Sequence, residues 1–128
     1  MKKLVFLLLA VMMLTACEQD TEKDQGAVHV NITAEEAKQI MDSEEGYIIL
    51  DVRTQEEYDQ GHIPNAILIP DTEIKNKAEE VMTDKDQLIL VYCRSGRRSK
   101  LASEILVELG YTNIKEFGGI IDWPYEVE

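Results

Sequence analysis

The chain has 128 residues, a size for one domain, and its 45% hydrophobic content is enough to build a core. Thirteen lysines and arginines face 25 aspartates and glutamates, a formal net charge of −12. Such acidity excludes generic nucleic-acid binding, which needs a basic face, and opposes close contact with anionic lipid; it serves to keep the domain soluble.

The first element does not belong to the folded domain. MKKLVFLLLAVMMLTAC begins with two lysines and continues in an apolar run from Leu4 to Leu14. That run is too short for an ordinary membrane-spanning helix, which needs about 20 residues. A charged start, a short apolar centre and small residues at the end read as an export signal over residues 1–16. Its close, Leu14 to Cys17, resembles the bacterial lipobox, which implies cleavage before Cys17 and a diacylglyceryl group on its thiol. A plain secretory signal that happens to end near a cysteine is the alternative. The expected location is outside the cytoplasm, anchored to a bacterial membrane through Cys17. Cleavage would remove Lys2 and Lys3 and no acid, taking the charge from −12 to −14. It would also leave Cys93 as the one free thiol, with no internal disulfide possible. Exported proteins usually pair their cysteines, so a single thiol is a candidate reactive group. Glu18 to Ala27 is polar, charged and aperiodic, so residues 17–27 read as a lipidated cysteine and a flexible tether. Ten such residues span about 17 Å as a coil and at most about 35 Å extended.

From residue 28 to 128 strand and helix signals alternate. VHVNI is a short strand. TAEEAKQIM opens a helix with Thr33 and Glu36 spaced as a capping box. YIILDV (47–52) is a continuous apolar run, the mark of a strand buried on both faces. TQEEYDQG repeats the cap with Thr54 and Glu57 and ends at Gly61. AILIP is another short strand, followed by Ile74, Ala78 and Val81 at helical spacing. QLILVY (87–92) is the second strongly buried strand. RSKLASEILVELG places Leu101, Ile105 and Leu109 on one stripe, with Ala102 and Leu106 beside it, and Gly110 as the C-terminal cap. TNIKEF is the last strand, and Pro124 limits any final helix. Five strands interleaved with helices predict an α/β domain, a parallel sheet with helices on both faces. Ligands in such folds bind beyond the carboxyl ends of the strands. Cys93 stands there.

Around that thiol the acidic chain turns basic. YCRSGRRSK places Arg94, Arg97, Arg98 and Lys100 within seven positions of Cys93. A strand ends, the chain turns at Gly96, and a helix begins. The first N–H groups of a helix lack internal partners, and curled around a cysteine they form an anion-binding nest at the positive end of the dipole. Such a setting lowers a thiol pKa from about 8.5 to about 3.5–7.5. The arginines push the same way and can hold an anionic substrate by paired hydrogen bonds. The expected result is a solvent-reachable thiolate that needs no histidine base. The bland alternative is a buried, inert cysteine whose arginines cover a helix end.

Three stretches carry a resemblance to one family. DVRTQEEYDQGHIPNA (51–66), the loop CRSGRRS (93–99) and GYTNIKEFGGIIDW (110–123) are similar to the signatures of the single-domain rhodaneses. The resemblance covers about Thr33 to Trp123. It implies the rhodanese three-layer fold with a mainly parallel sheet, and it implies sulfur transfer. Cys93 carries over as nucleophile and persulfide carrier. The N–H groups of Arg94, Ser95, Gly96, Arg97 and Arg98 would cradle the sulfur, and Arg94, Arg97 and Arg98 would steer an anionic donor such as thiosulfate or a persulfide. Cyanide or an external thiol would accept. No metal or organic cofactor is implied, and the protein is expected to be a monomer without nucleic acid.

The remaining signature residues read as architectural. Asp51 and Arg53 pair with each other or pin a neighbouring loop. His62 is structural; only His29 could join it on a metal, and no cysteine spacing supports one. Phe117 and Trp123 are packing residues, and the acidic runs Glu56-Glu57 and Glu79-Glu80 are solvated helix faces. Two other functions compete. One is a phosphatase or arsenate-reductase-like enzyme, but its C-x5-R loop is one residue longer than the C-x4-R reaching Arg98. The other is a rhodanese-like module that only binds a partner, which often lacks the cysteine. A thiol-disulfide oxidoreductase would need a resolving thiol.

Overall fold

The computed structural model describes residues 28–128; the signal, Cys17 and the tether lie outside the described residues. Five strands form one sheet: β1 Val30–Asn31, β2 Ile48–Asp51, β3 Ile67–Leu68, β4 Ile89–Cys93 and β5 Ile114–Gly119. Their order is β1-β5-β4-β2-β3, and every neighbouring pair is parallel. The α/β expectation holds, with all of the pairing parallel.

Both capping boxes form. The Thr33 hydroxyl accepts from the Glu36 amide at the start of α1 (Ala34–Ser43), and Thr54 accepts from Glu57 at the start of α2 (Gln55–Gln60). α3 spans Ile74–Val81 and α4 spans Arg97–Glu108. Gly110, at φ +97°, closes α4 with paired bonds, its own N–H to the Val107 carbonyl and that of Tyr111 to Leu106.

Strand alternation divides the core between the two faces of the sheet. On one face Ile89, Val91 and Cys93 of β4 pack with Leu50, Ile114, α3 and α4. On the other, Leu90 and Tyr92 pack with Ile49, Phe117, Trp123 and Ala37 of α1. Two stripes differ from the expected ones. Val81 is 53% exposed, and Met82, four residues after Ala78, fills the core instead. On α4, Leu101 is 48% exposed, and the buried residues are Ser99, Ala102, Ser103 and Leu106. Small residues on this face let α4 lie close to the sheet; the Ser103 hydroxyl bonds the Ser99 carbonyl within the helix, and that of Ser99 has a partner described below.

Candidate active site

β4 is buried at all five residues and delivers Cys93 to the carboxyl edge of the sheet. Its pairing with β5 shifts there. Val91 lies opposite Glu116, but Cys93 lies opposite Gly119, so β5 spends one residue more than β4. This bulge carries Gly118 at φ +86° and brings Gly119 beneath the loop that follows Cys93. A Cβ on Gly119 would lie 1.9 Å from the Arg94 carbonyl oxygen, so the loop backbone rests directly on the glycine. The Ile121 N–H donates to that same carbonyl at 3.2 Å.

Gly96 occupies the N-cap of α4 at φ +105°, a left-handed conformation suited to glycine. Its N–H donates to the Cys93 sulfur at 2.9 Å. The first intrahelical bond runs from the Lys100 N–H to the Gly96 carbonyl, which leaves the Arg97, Arg98 and Ser99 amides at the open end of the helix. Gly96 is the one loop amide seen bonding the sulfur among the described residues.

Two expectations for this loop are corrected. The first concerns Arg98, which does not project toward a donor. Its guanidinium bonds both oxygens of Glu57, at 2.6 and 2.9 Å, and so clamps the loop to α2. That pairing holds the Glu57 carboxyl down at about 2 and raises Arg98. Glu57 is accordingly not a solvated charge, although Glu56 beside it is exposed. The second concerns access. Cys93 exposes none of its surface, because the loop curls over its sulfur. Arg94, Ser95 and Arg97 are exposed, and neither Arg94 nor Arg97 has an ion-pair partner among the described residues.

Behind the loop lies a buried polar network. Arg53 is bound to Asp51 through its Nε and Nη2, and its Nη2 also donates to the Gly61 carbonyl at 2.7 Å. Both alternatives for this pair are thus realised. Tyr92, read from the sequence only as the end of a buried strand, completes the network: its hydroxyl donates to Asp51 at 2.6 Å and accepts from the Ile63 amide. Burial and the Asp51 carboxylate push its phenol far above the ordinary range. A tyrosine inside an otherwise aliphatic strand, with an aspartate on the strand beside it, was the available signal. His62 stacks on Tyr58 at 3.8 Å, shares a contact with the Tyr58 carbonyl and faces Glu128. No group of three metal-ligating side chains occurs among the described residues. Phe117 and Trp123 pack together, as expected.

A cleft of about 570 Å³ opens beside the loop, between Arg53, Glu57 and Gly61 on one side and Arg94, Ile121 and Trp123 on the other. A smaller cavity of about 200 Å³ also touches Trp123 but contains no loop residue.

Comparison with known proteins agrees with this geometry. The model of the rhodanese-like domain matches residues 33–124. The chain belongs to the rhodanese-like domain family. It is 44% identical over 73 residues to the thiosulfate sulfurtransferase PspE of Escherichia coli, covering 57% of this chain and 70% of that protein. It is 38% identical over 98 residues to the putative sulfur carrier protein YrkF of Bacillus subtilis, covering 76% of this chain and 52% of that one. Among solved structures, a rhodanese with anions from E. coli superimposes with a TM-score of 0.61 at 39% identity, over 64% of this chain and 96% of that one. A rhodanese-related protein from Thermoplasma volcanium gives 0.67 at 32% identity, over 77% and 97%. The rhodanese-like fold and the kinship with sulfurtransferases follow from these matches.

Proposed function

We propose that the protein is a sulfurtransferase that carries sulfane sulfur as a persulfide on Cys93. The observation that carries the reading is the Gly96 N–H on the Cys93 sulfur, at a helix N-terminus beside Arg94 and Arg97, which have no ion-pair partner among the described residues. A donor anion is drawn by Arg94 and Arg97, both exposed and without ion pairs among the described residues. The Cys93 thiolate attacks the outer sulfur of thiosulfate, the S–S bond breaks, and sulfite leaves with the bonding pair. Cyanide or a thiolate then attacks the outer sulfur of the persulfide, and the Cys93 thiolate departs. Open amides of the loop and first helical turn stabilise the negative charge in both steps. Because the sulfur is covered, the Arg94–Gly96 segment must lift from it when the donor enters.

The same covered sulfur favours a second reading, a rhodanese-like module that binds a partner without catalysis. Cys93→Ser separates the two. On the catalytic reading it abolishes thiosulfate:cyanide turnover and leaves the fold intact; turnover near that of the unaltered chain overturns the assignment. Arg94→Ala and Arg97→Ala should raise KM for thiosulfate more than they disturb stability, and if neither moves KM the steering role is wrong.

The remaining proposals concern placement. The protein is exported, cleaved before Cys17, lipidated there, and held as a monomer near the outer side of a bacterial membrane by the 17–27 tether. The sequence Leu14 to Cys17 supports this. Cys17→Ala should release the protein from the membrane fraction; unchanged membrane retention would contradict the anchor.

A further inference from the structure

Glu116 is a buried carboxylate that the transfer chemistry does not use. It is 2% exposed and forms no ion pair among the described residues. Its Oε1 accepts from the Ser99 hydroxyl at 2.6 Å and the Gly118 N–H at 2.8 Å, and its Oε2 accepts from the Asn31 amide. The Gly118 N–H and the Asn31 amide donate to it, one at each oxygen, which suits an acceptor, while the Ser99 hydroxyl, with one proton, also lies 3.0 Å from the Gly96 carbonyl and 3.3 Å from that of Gly118. Ser99 lies in the first turn of α4, so the carboxylate sits under the positive end of the helix that the donor anion must also use. Gly96 lies between the two: its N–H holds the Cys93 sulfur, and a Cβ on it would lie 3.9 Å from Glu116 Oε1.

A fixed negative charge at this place opposes every anion that enters the loop, and a dianion about twice as strongly as a monoanion. We propose that Glu116 is a specificity-determining residue that disfavours dianionic sulfur donors such as thiosulfate relative to donors of lower charge. The inference rests on the sulfurtransferase reading above. In attack by the Cys93 thiolate on thiosulfate, sulfite departs as a dianion. In attack on an alkanethiosulfonate the same S–S bond breaks and a sulfinate departs with a single charge. Both reactions leave the Cys93 persulfide, so the two donors differ in charge at nearly constant shape.

The test compares kcat/KM for thiosulfate and for the methanethiosulfonate anion, with the full chain and two variants. Glu116→Gln removes the charge and keeps the hydrogen bonds: its amide oxygen accepts from Ser99 and Gly118, and exposed Asn31 turns its own oxygen to the new N–H. Asn31→Lys keeps Glu116 and sets a cation against it from the surface. The thiosulfate-to-methanethiosulfonate ratio should rise about fivefold in Glu116→Gln, the order expected for one like charge near a dianion in a partly screened site, and rise less in Asn31→Lys. Each ratio is read on variant protein whose denaturant titration shows it folded, so that it reports donor preference alone. A ratio that is unchanged or lower in both variants overturns the proposal. If the unaltered chain transfers sulfur from neither donor, the sulfurtransferase reading itself fails, and this inference with it.

Discussion

Asp51 and Glu116 are both carboxylates buried beneath the carboxyl edge of the sheet, and they are treated in opposite ways. Asp51 ends β2 and is 0% exposed, bound by the guanidinium of Arg53 and the hydroxyl of Tyr92. Glu116 lies on β5 and receives only neutral donors. The first arrangement cancels a charge and uses the cancelled pair to hold a wall of the cleft through Gly61. The second places a carboxyl group under the loop with no ion-pair partner among the described residues. A buried ion pair is rigid scaffolding that costs heavily when halved, whereas a carboxylate with neutral partners can lose its charge and keep its shape.

The sharpest way to break the comparison is Asp51→Asn. It strands the Arg53 guanidinium without its counter-charge and should cost about 3–5 kcal/mol in a denaturant titration. A loss below 1 kcal/mol would show that the pair is not scaffolding. Gly119→Ala comes next, because the new methyl meets the Arg94 carbonyl at 1.9 Å. Moving the loop should cost about 1–3 kcal/mol and most of the sulfur-transfer activity; unaltered activity would mean that the loop does not need its glycine floor. The smallest stability effect belongs to Glu116→Gln, about 1 kcal/mol or less by the same titration, despite equal burial.

The Glu57–Arg98 clamp provides a pH test. The Glu57 carboxyl is held at about 2, against an unfolded value of 4.5. A depressed carboxyl adds stability that is fully present above 4.5 and is lost as pH falls toward 2. Glu57→Gln should flatten that part of the stability-pH curve; an unchanged slope would remove the clamp from the account.

The elements legible in the sequence were those governed by local chemistry. Thr33 with Glu36 and Thr54 with Glu57 announced two helix starts, and the aliphatic runs before Asp51 and Cys93 announced the central strands. The glycine at 96 and the cysteine at a strand end located the loop. What remained hidden depended on the partner a side chain finds across the fold. Arg98 reads as a substrate cation until α2 brings Glu57 to it. Leu101 reads as core until the small residues Ser99, Ala102 and Ser103 turn out to face the sheet. Glu116 received no role from the sequence; β5 beside β4 puts it on the same face as Ile114, two residues earlier, and so toward Ser99 of α4. An acid at an inward position of a strand, matched by Ser99 on the covering helix, was the signal for it.

The central claim is tested most directly by exposing the full chain to thiosulfate and locating added sulfur by peptide mass spectrometry. The account predicts one extra sulfur atom, confined to the peptide containing Cys93 and removed by cyanide with release of thiocyanate. An unmodified Cys93, or an adduct that cyanide does not discharge, would contradict it.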